Sequence, residues 1–317
     1  MTMPMSGTFL PSIQLTPSVM SDEMISNLNN EESSIAQLQE QLSTGNVVNQ
    51  PSDNPALAAN IMQINSALSR ATTYSNNASD GLGWLQTGNS TINEIVSTLQ
   101  SVRQTVLSVS SASLSGSQAG LQALADQVTQ AQQTLVNLGN TTYNGQAIFT
   151  GTGNVTTAFD SNGTYVGGGA APTRTVAPGT QVAVAVTGDS VFGTGTTGLL
   201  STTPGSLGVL AQLAQDISTG TQASLAAANG PDLQNLDNAI STVENQAAQL
   251  GSQYQQMQTL QNQATSTQAA LNTELSGIQS VNLPQAMTNL TQQQNSYQTA
   301  LWSTAQLVQS SLVSFLQ

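Results

Sequence analysis

The sequence predicts a mainly α protein with a small inserted β domain, its long helices forming a coiled-coil bundle built from both chain ends. Two long stretches, 57–106 and 233–278, place apolar residues at alternating four- and three-residue steps. Held over that length, the spacing marks helices in left-handed packing and not a lone amphipathic helix. Between 144 and 205 the helical period vanishes and glycine is frequent. A shorter amphipathic stripe stands near each end of the chain, set off by a proline-bearing connector.

In chain order, Met24, Leu28, Ile35, Leu38 and Leu42 share one helical face. The segment 43–59, Ser-Thr-Gly-Asn-Val-Val-Asn-Gln-Pro-Ser-Asp-Asn-Pro-Ala-Leu-Ala-Ala, then interrupts the pattern. Gly45 is suited to end the first helix, because glycine takes the left-handed cap conformation without strain. Pro51 and Pro55 hold the connector away from helix. Asn54 suits an N-cap and Pro55 the first helical position, where a missing N–H costs nothing. The first rod runs through Leu57, Ile61, Ile64, Leu68, Ala71, Ala78, Leu82, Leu85, Ile92, Val96, Leu99 and Val106, broken only by Ser75, Asn89 and Arg103. Leu121, Leu124, Val128, Ala131, Leu135 and Leu138 form a shorter stripe.

In the centre, 159–165 reads as a hairpin, because its Asn162-Gly163 pair suits a tight turn. Pro178-Gly179 makes another turn, Val182, Val184 and Val186 alternate at strand spacing, and Val191-Phe192 closes the region. A disordered Gly/Thr linker is the competing reading; the hairpin and the valine alternation count against it. Helix returns with Leu207, Leu210, Ala214 and Ile217. Gly230-Pro231-Asp232 supplies a start signal for the second rod, with proline early and a carboxylate near the positive end of the dipole. That rod runs through Leu233, Leu236, Ile240, Val243, Ala247, Leu250, Tyr254, Met257, Ala264, Leu271, Leu275 and Ile278, with Gln261 and Gln268 polar. After Asn282-Leu283-Pro284 the last stripe comprises Met287, Leu290, Tyr297, Leu301, Ala305, Val308, Leu312 and Phe315.

Composition narrows the function. Only 6% of residues are charged and 4% aromatic, so the surface must be built from Gln, Asn, Ser and Thr. Arg70, Arg103 and Arg174 are the only cations against sixteen carboxylates, a net charge of −13. Nucleic acid and anionic lipid are poor partners for such a chain, since phosphate binding needs clustered Lys and Arg. Carboxylates protonate at acid pH while Arg stays charged, so the chain escapes self-repulsion there; we read this as an extracellular part for acidic surroundings. No stretch of about 18 apolar residues is present to span a membrane. Residues 1–20 carry no basic residue before a hydrophobic run, so no secretory signal peptide is expected.

Catalytic and cofactor patterns are weak. Gly193-Thr194-Gly195-Thr196-Thr197-Gly198 spells G-x-G-x-x-G, but a dinucleotide site needs a helix opening on the third glycine, and Pro204 opposes one. An exit loop is the better account. Asp160-Ser161-Asn162-Gly163 resembles the opening of a calcium loop, yet Ala171 stands where the bidentate carboxylate belongs, so a turn is preferred. Without His or Cys, the usual zinc and nucleophile–base arrangements cannot be built. The acids are scattered singly along helices. We therefore expect no enzyme activity, no metal and no cofactor. Trp84 and Trp302 read as packing residues, with an assembly contact the alternative for Trp302. The terminal stripes cannot bury their apolar faces alone and are candidates to order on binding.

The connector residues Ser43, Thr44, Gly45, Val47, Pro51, Ser52, Asp53, Pro55, Ala58 and Ala59 match an STGK-x-V-x-x-PSDDP-x-AA segment. On these residues the chain resembles the family of flagellar hook–filament junction proteins (the third hook-associated proteins), relatives of flagellin. Residues 140–152 look like the family's N-T-x-x-N-G-x-Y-x-F-x-G-T segment, 182–192 its central strand region, and 286–301 with Leu312, Phe315 and Leu316 its terminal helix. The resemblance covers about 19–317. Asn46, Asn54 and Asn282 stand where the family has Lys, Asp and Asp, and residues 1–10 extend beyond its usual start. Flagellin shares the architecture, but Pro51 and Pro55 favour the junction proteins.

The resemblance implies a structural adaptor joining hook to filament. Its partners would be another hook-associated protein, flagellin, further copies of itself in a ring, and a flagellar export chaperone. Its place would be the extracellular flagellum, reached through the flagellar secretion apparatus without a cleaved signal. Leu28, Ile35, Leu38, Leu42, Leu290, Tyr297, Leu301, Val308, Leu312 and Phe315 would be the assembly residues, and Ser43, Thr44, Gly45, Pro51, Ser52, Asp53 and Pro55 the connector motif. The expected division is an extension (1–18), a terminal assembly domain (19–55 with 281–317), a helical bundle (56–145 with 205–280) and an outer β domain (146–204). Flagellin itself is one alternative. An enzyme or carbohydrate-binding module on the β domain is another, for which only Phe159, Tyr165 and Phe192 are available.

Overall fold

In chain order, long helices precede and follow a short-stranded centre. The computed structural model describes residues 17–109 and 117–315. The expected extension therefore lies, up to residue 16, outside the described residues, as do the side chains of Val308, Leu312 and Phe315. The helices are α1 (Pro17–Thr44), α2 (Pro55–Val109), α3 (Gln118–Gly139), the one-turn α4 (Gly188–Phe192), α5 (Val209–Thr219), α6 (Gln222–Ala227), α7 (Leu233–Gln279) and α8 (Leu283–Phe315). Three antiparallel two-stranded ladders lie between α3 and α5: β1–β2 (Thr142–Tyr143, Gln146–Ala147), β3–β4 (Thr173–Ala177, Thr180–Ala183) and β5–β6 (Thr202–Thr203, Ser206–Leu207).

The chain divides into two units, one of residues up to 67 with 271 onward, the other of 68–270. In the second, α2, α3, α5 and α7 bury the apolar stripes that the heptads mark. Leu85, Ile92, Leu99 and Val106 of α2 are fully buried, as are Leu135 of α3 and Leu236, Val243 and Met257 of α7. Each such side chain contributes about 1.5–3 kcal/mol. The same continuous core takes in Phe149, Phe159, Val182, Val184, Phe192, Leu199 and Leu200 from the centre. Phe192 sits edge-on to Phe159 and Phe149, at centroid distances of 4.9 and 6.0 Å. Arg103, a polar break in the first rod, is explained: its Nε bonds Asp237 Oδ1 of α7 at 2.6 Å, which raises the guanidinium pKa. Arg174 bonds Asp80 at 2.8 Å and stacks over the buried Trp84.

The structure departs from the sequence reading in four places between 182 and 232. Strand β4 ends at Ala183, and Val184, Ala185 and Val186 are all buried, so the valine alternation does not separate an inner from an outer face. Val191-Phe192 ends a helical turn instead of a strand. Leu207 belongs to β6, one residue short of the N-cap of α5. Gly230-Pro231-Asp232 does not open a helix: α6 passes through a π turn (Ala228–Asp232) straight into α7. The 159–165 hairpin forms, pared to one bridge between Phe159 and Tyr165, with Asp160 Oδ1 accepting from Asn162 and Thr164 N–H. A second hairpin, β1–β2, turns on Asn144-Gly145, both at positive φ; that dipeptide is itself a strong hairpin signal. Gly83 of α2 lets Tyr143 of this hairpin close on the helix, since a Cβ there would meet the tyrosine hydroxyl.

Candidate functional site: the paired chain ends and their connector

Helix α1 ends where the chain can reverse. Gly45 has φ +73° and its N–H bonds Gln41 O at 2.9 Å. The Thr44 hydroxyl donates to Glu40 O and accepts from Asn46 N–H. Beyond the cap, Asn46 bridges Ser280, Val47 N–H donates to Gln279 O at 2.8 Å, and Val281 N–H donates to Gly45 O at 2.9 Å. The two connectors, one after α1 and one before α8, are thus laced together through backbone. Gln41 Nε2 adds a bond to Val47 O at 2.8 Å.

The proline segment is closed by Asp53, whose Oδ2 accepts from Asn49 and Gln50 N–H at 3.0 and 2.9 Å. Asn54 then caps α2, its Oδ1 accepting from Leu57 N–H at 3.0 Å, with Pro55 as the first helical residue. Asn282 caps α8 in the same manner through Gln285 N–H. At both caps asparagine supplies the accepting oxygen that aspartate would, without the charge. Ser43, Pro51 and Ser52 are exposed.

Helices α1 and α8 pack against each other in one unit. On α1, Met24, Leu28, Glu31, Ile35, Leu38 and Leu42 are half-buried. On α8, the covered positions are Ala286, Leu290, Gln293, Tyr297, Ala300 and Thr304, at alternating four- and three-residue steps. The stripe read from the sequence therefore splits. Leu290 and Tyr297 lie on the seam, whereas Met287 and Leu301 stand one position off it and are exposed. Trp302 is 83% exposed, and Ile25 of α1 is exposed as well. The seam is also polar, with a buried Glu31 carboxylate oxygen lacking a hydrogen-bond partner. Among the described side chains of α1 none is fully buried. A pair so thinly covered leaves Ile25, Met287, Leu301 and Trp302 outward.

Among the described residues, no group of three or more His, Cys, Asp or Glu is placed to hold a metal, and no helix is long and apolar enough to cross a membrane. Gly195–Thr197 of the glycine-rich loop forms a 3-10 turn, and no helix opens on Gly198.

The two chain ends fold together as one unit of paired long helices. The model of the bacterial flagellin N-terminal helical region matches residues 17–154, and that of the flagellin C-terminal helical region matches 233–316. Together they account for well over half of the sequence, and the chain belongs to the flagellin family. No curated protein sequence matches it. Solved structures do. A flagellar hook-associated protein of Vibrio parahaemolyticus superposes with a TM-score of 0.60 at 18% identity, over 72% of this chain and 100% of that one. FlgL of Xanthomonas campestris superposes at 0.57 and 17%, over 67% and 99%. The hook-associated protein 3 of Legionella pneumophila does so at 0.56 and 17%, over 69% and 99%.

Proposed function

We propose that the chain is a structural adaptor of the bacterial flagellum that joins the hook to the filament. The observation that carries this reading is the connector: a Pro-Ser-Asp-Asn-Pro turn, closed by Asp53 and laced at 45–47 to 279–281, beneath a terminal helix pair that leaves Ile25, Met287, Leu301 and Trp302 outward. Flagellin-family membership supports a flagellar structural role. The fold likeness to hook-associated proteins over essentially their whole length favours the junction over the filament subunit. On this reading the outward face contacts another hook-associated protein on one side and flagellin on the other, and further copies complete a ring. Delivery is by the flagellar secretion apparatus with the help of a chaperone.

Deleting the gene tests the proposal. Cells should carry hooks without filaments and shed flagellin into the medium. Normal filaments on the deletion strain would refute it, and hooks capped by the hook-associated proteins but lacking all exported flagellin would assign the chain to the filament itself.

A further inference from the structure

The π turn (Ala228–Asp232) is a rare helix form, seen mostly as single turns within α-helices and frequently at functional sites. Its last residue, Asp232, is 8% exposed, and its Oδ2 has no hydrogen-bond partner among the described residues. Asn229 of the same turn has a buried Oδ1 in the same condition. The charged group facing Asp232 is another acid, Asp216 of α5, oriented by a 3.0 Å bond from Gln212 Nε2. A buried carboxylate beside a like charge is strongly disfavoured unless something neutralises it.

The chain itself offers little to do so. It has no lysine or histidine. Arg103 and Arg174 are engaged by Asp237 and Asp80. Of the elements packed on α5 and the π turn, α3 brings only Asp126, which accepts from Gln122 Nε2 at 3.0 Å, while α6 and β6 bring no titratable group. The first titratable residue of α7 is Asp237, already held by Arg103. No cation is among the groups that shift Asp232, which leaves solvent to supply the neutralisation.

We propose that Asp216 and Asp232 form a proton-operated clasp: one proton taken from solvent is shared between the two carboxyls, ties α5 to the π turn, and leaves again as the pH rises toward neutrality. The direction of titration agrees, for burial first and Asp216 second push the Asp232 carboxyl up to about 6. An unfolded Asp titrates near 3.9. The folded state therefore holds the extra proton between these values. The clasp's contribution is complete below about 3.9 and is lost as the pH rises through about 6.

Thermal and urea unfolding of the full chain between pH 3.5 and 7.5 tests this, comparing wild type with Asp232→Asn and Asp216→Asn. Asn at 232 mimics the neutral carboxyl. Asp232→Asn should match wild type at pH 3.5 and exceed it at pH 7.5 by up to about a hundredfold in the folding equilibrium constant, the two-unit shift converted directly, and Asp216→Asn, which leaves Asp232 buried, should exceed it by less. Parallel curves for wild type and both variants would overturn the clasp. Should Asp232→Asn not fold, Asp216→Asn alone decides by the same comparison. A gain for wild type at pH 7.5 in millimolar calcium chloride, absent in Asp232→Asn, would also overturn it, replacing the proton with a bound cation.

Discussion

Gly45 at φ +73° is a residue whose identity the backbone alone demands. A Cβ there meets nothing within 4 Å, so substitution is opposed by conformation and not by crowding. Gly45→Ala should destabilise the terminal unit by about 1 kcal/mol, the cost of holding a non-glycine residue in the left-handed region; an unchanged melting curve for that unit would contradict this. In the other unit, Leu99 is fully buried in α2. Leu99→Ala should lower stability by about 2–5 kcal/mol in urea titration, through lost burial and the cavity left behind. Residues of this kind were legible in the sequence. Gly45, Asn54 and Pro55 are selected by local backbone geometry, and Leu99 by period. Asp232 was not, because the acid that perturbs it lies on α5 and meets it only through the path of α6 and the π turn.

At the scale of elements, α1 and α8 show how far periodicity reaches. It located both helices and their pairing. It placed Leu290 and Tyr297 of α8 on the seam but also counted Met287 and Leu301, which are exposed, and passed over Ala286, Gln293, Ala300 and Thr304, which are covered. The physical reason is that a two-helix seam tolerates small and polar side chains beside Leu290 and Tyr297, so apolar type alone does not pick the covered face, and Met287 and Leu301 stay exposed. Two outcomes follow for the free protein. Amide exchange over 22–42 should be fast, since no described side chain of α1 is fully buried, while 92–106 of α2 should be strongly protected; comparable protection of the two would contradict this. Trp302→Ala should leave the melting temperature of the free chain unchanged and weaken its incorporation into flagella, because the ring is 83% exposed in the free chain. A lowered melting temperature with normal incorporation would make Trp302 a packing residue instead.

At the scale of the molecule, the heptads and the glycine-rich centre foretold a long-helix protein with a short-stranded insertion. They did not foretell that this insertion shares a continuous core with α2, α3 and α7. Its buried residues come from hairpins and turns, which carry no period to read. The charge pattern belongs to this scale as well. With three cations against sixteen acids the chain loses net charge as it is acidified, and the Asp216–Asp232 pair adds stability in the same direction. If the chain works in acidic surroundings, the hook protein and flagellin of the same cell should be as poor in Lys and Arg; ordinary contents in those partners would reject that explanation.

The central claim is the position of this protein between hook and filament, and locating it on intact flagella is the most direct test. Gold-labelled antibody raised against the exposed part of the chain, viewed by electron microscopy, should mark a single narrow band at the distal end of the hook. Label distributed along the filament would identify a filament subunit, and no label on flagella at all would contradict the account.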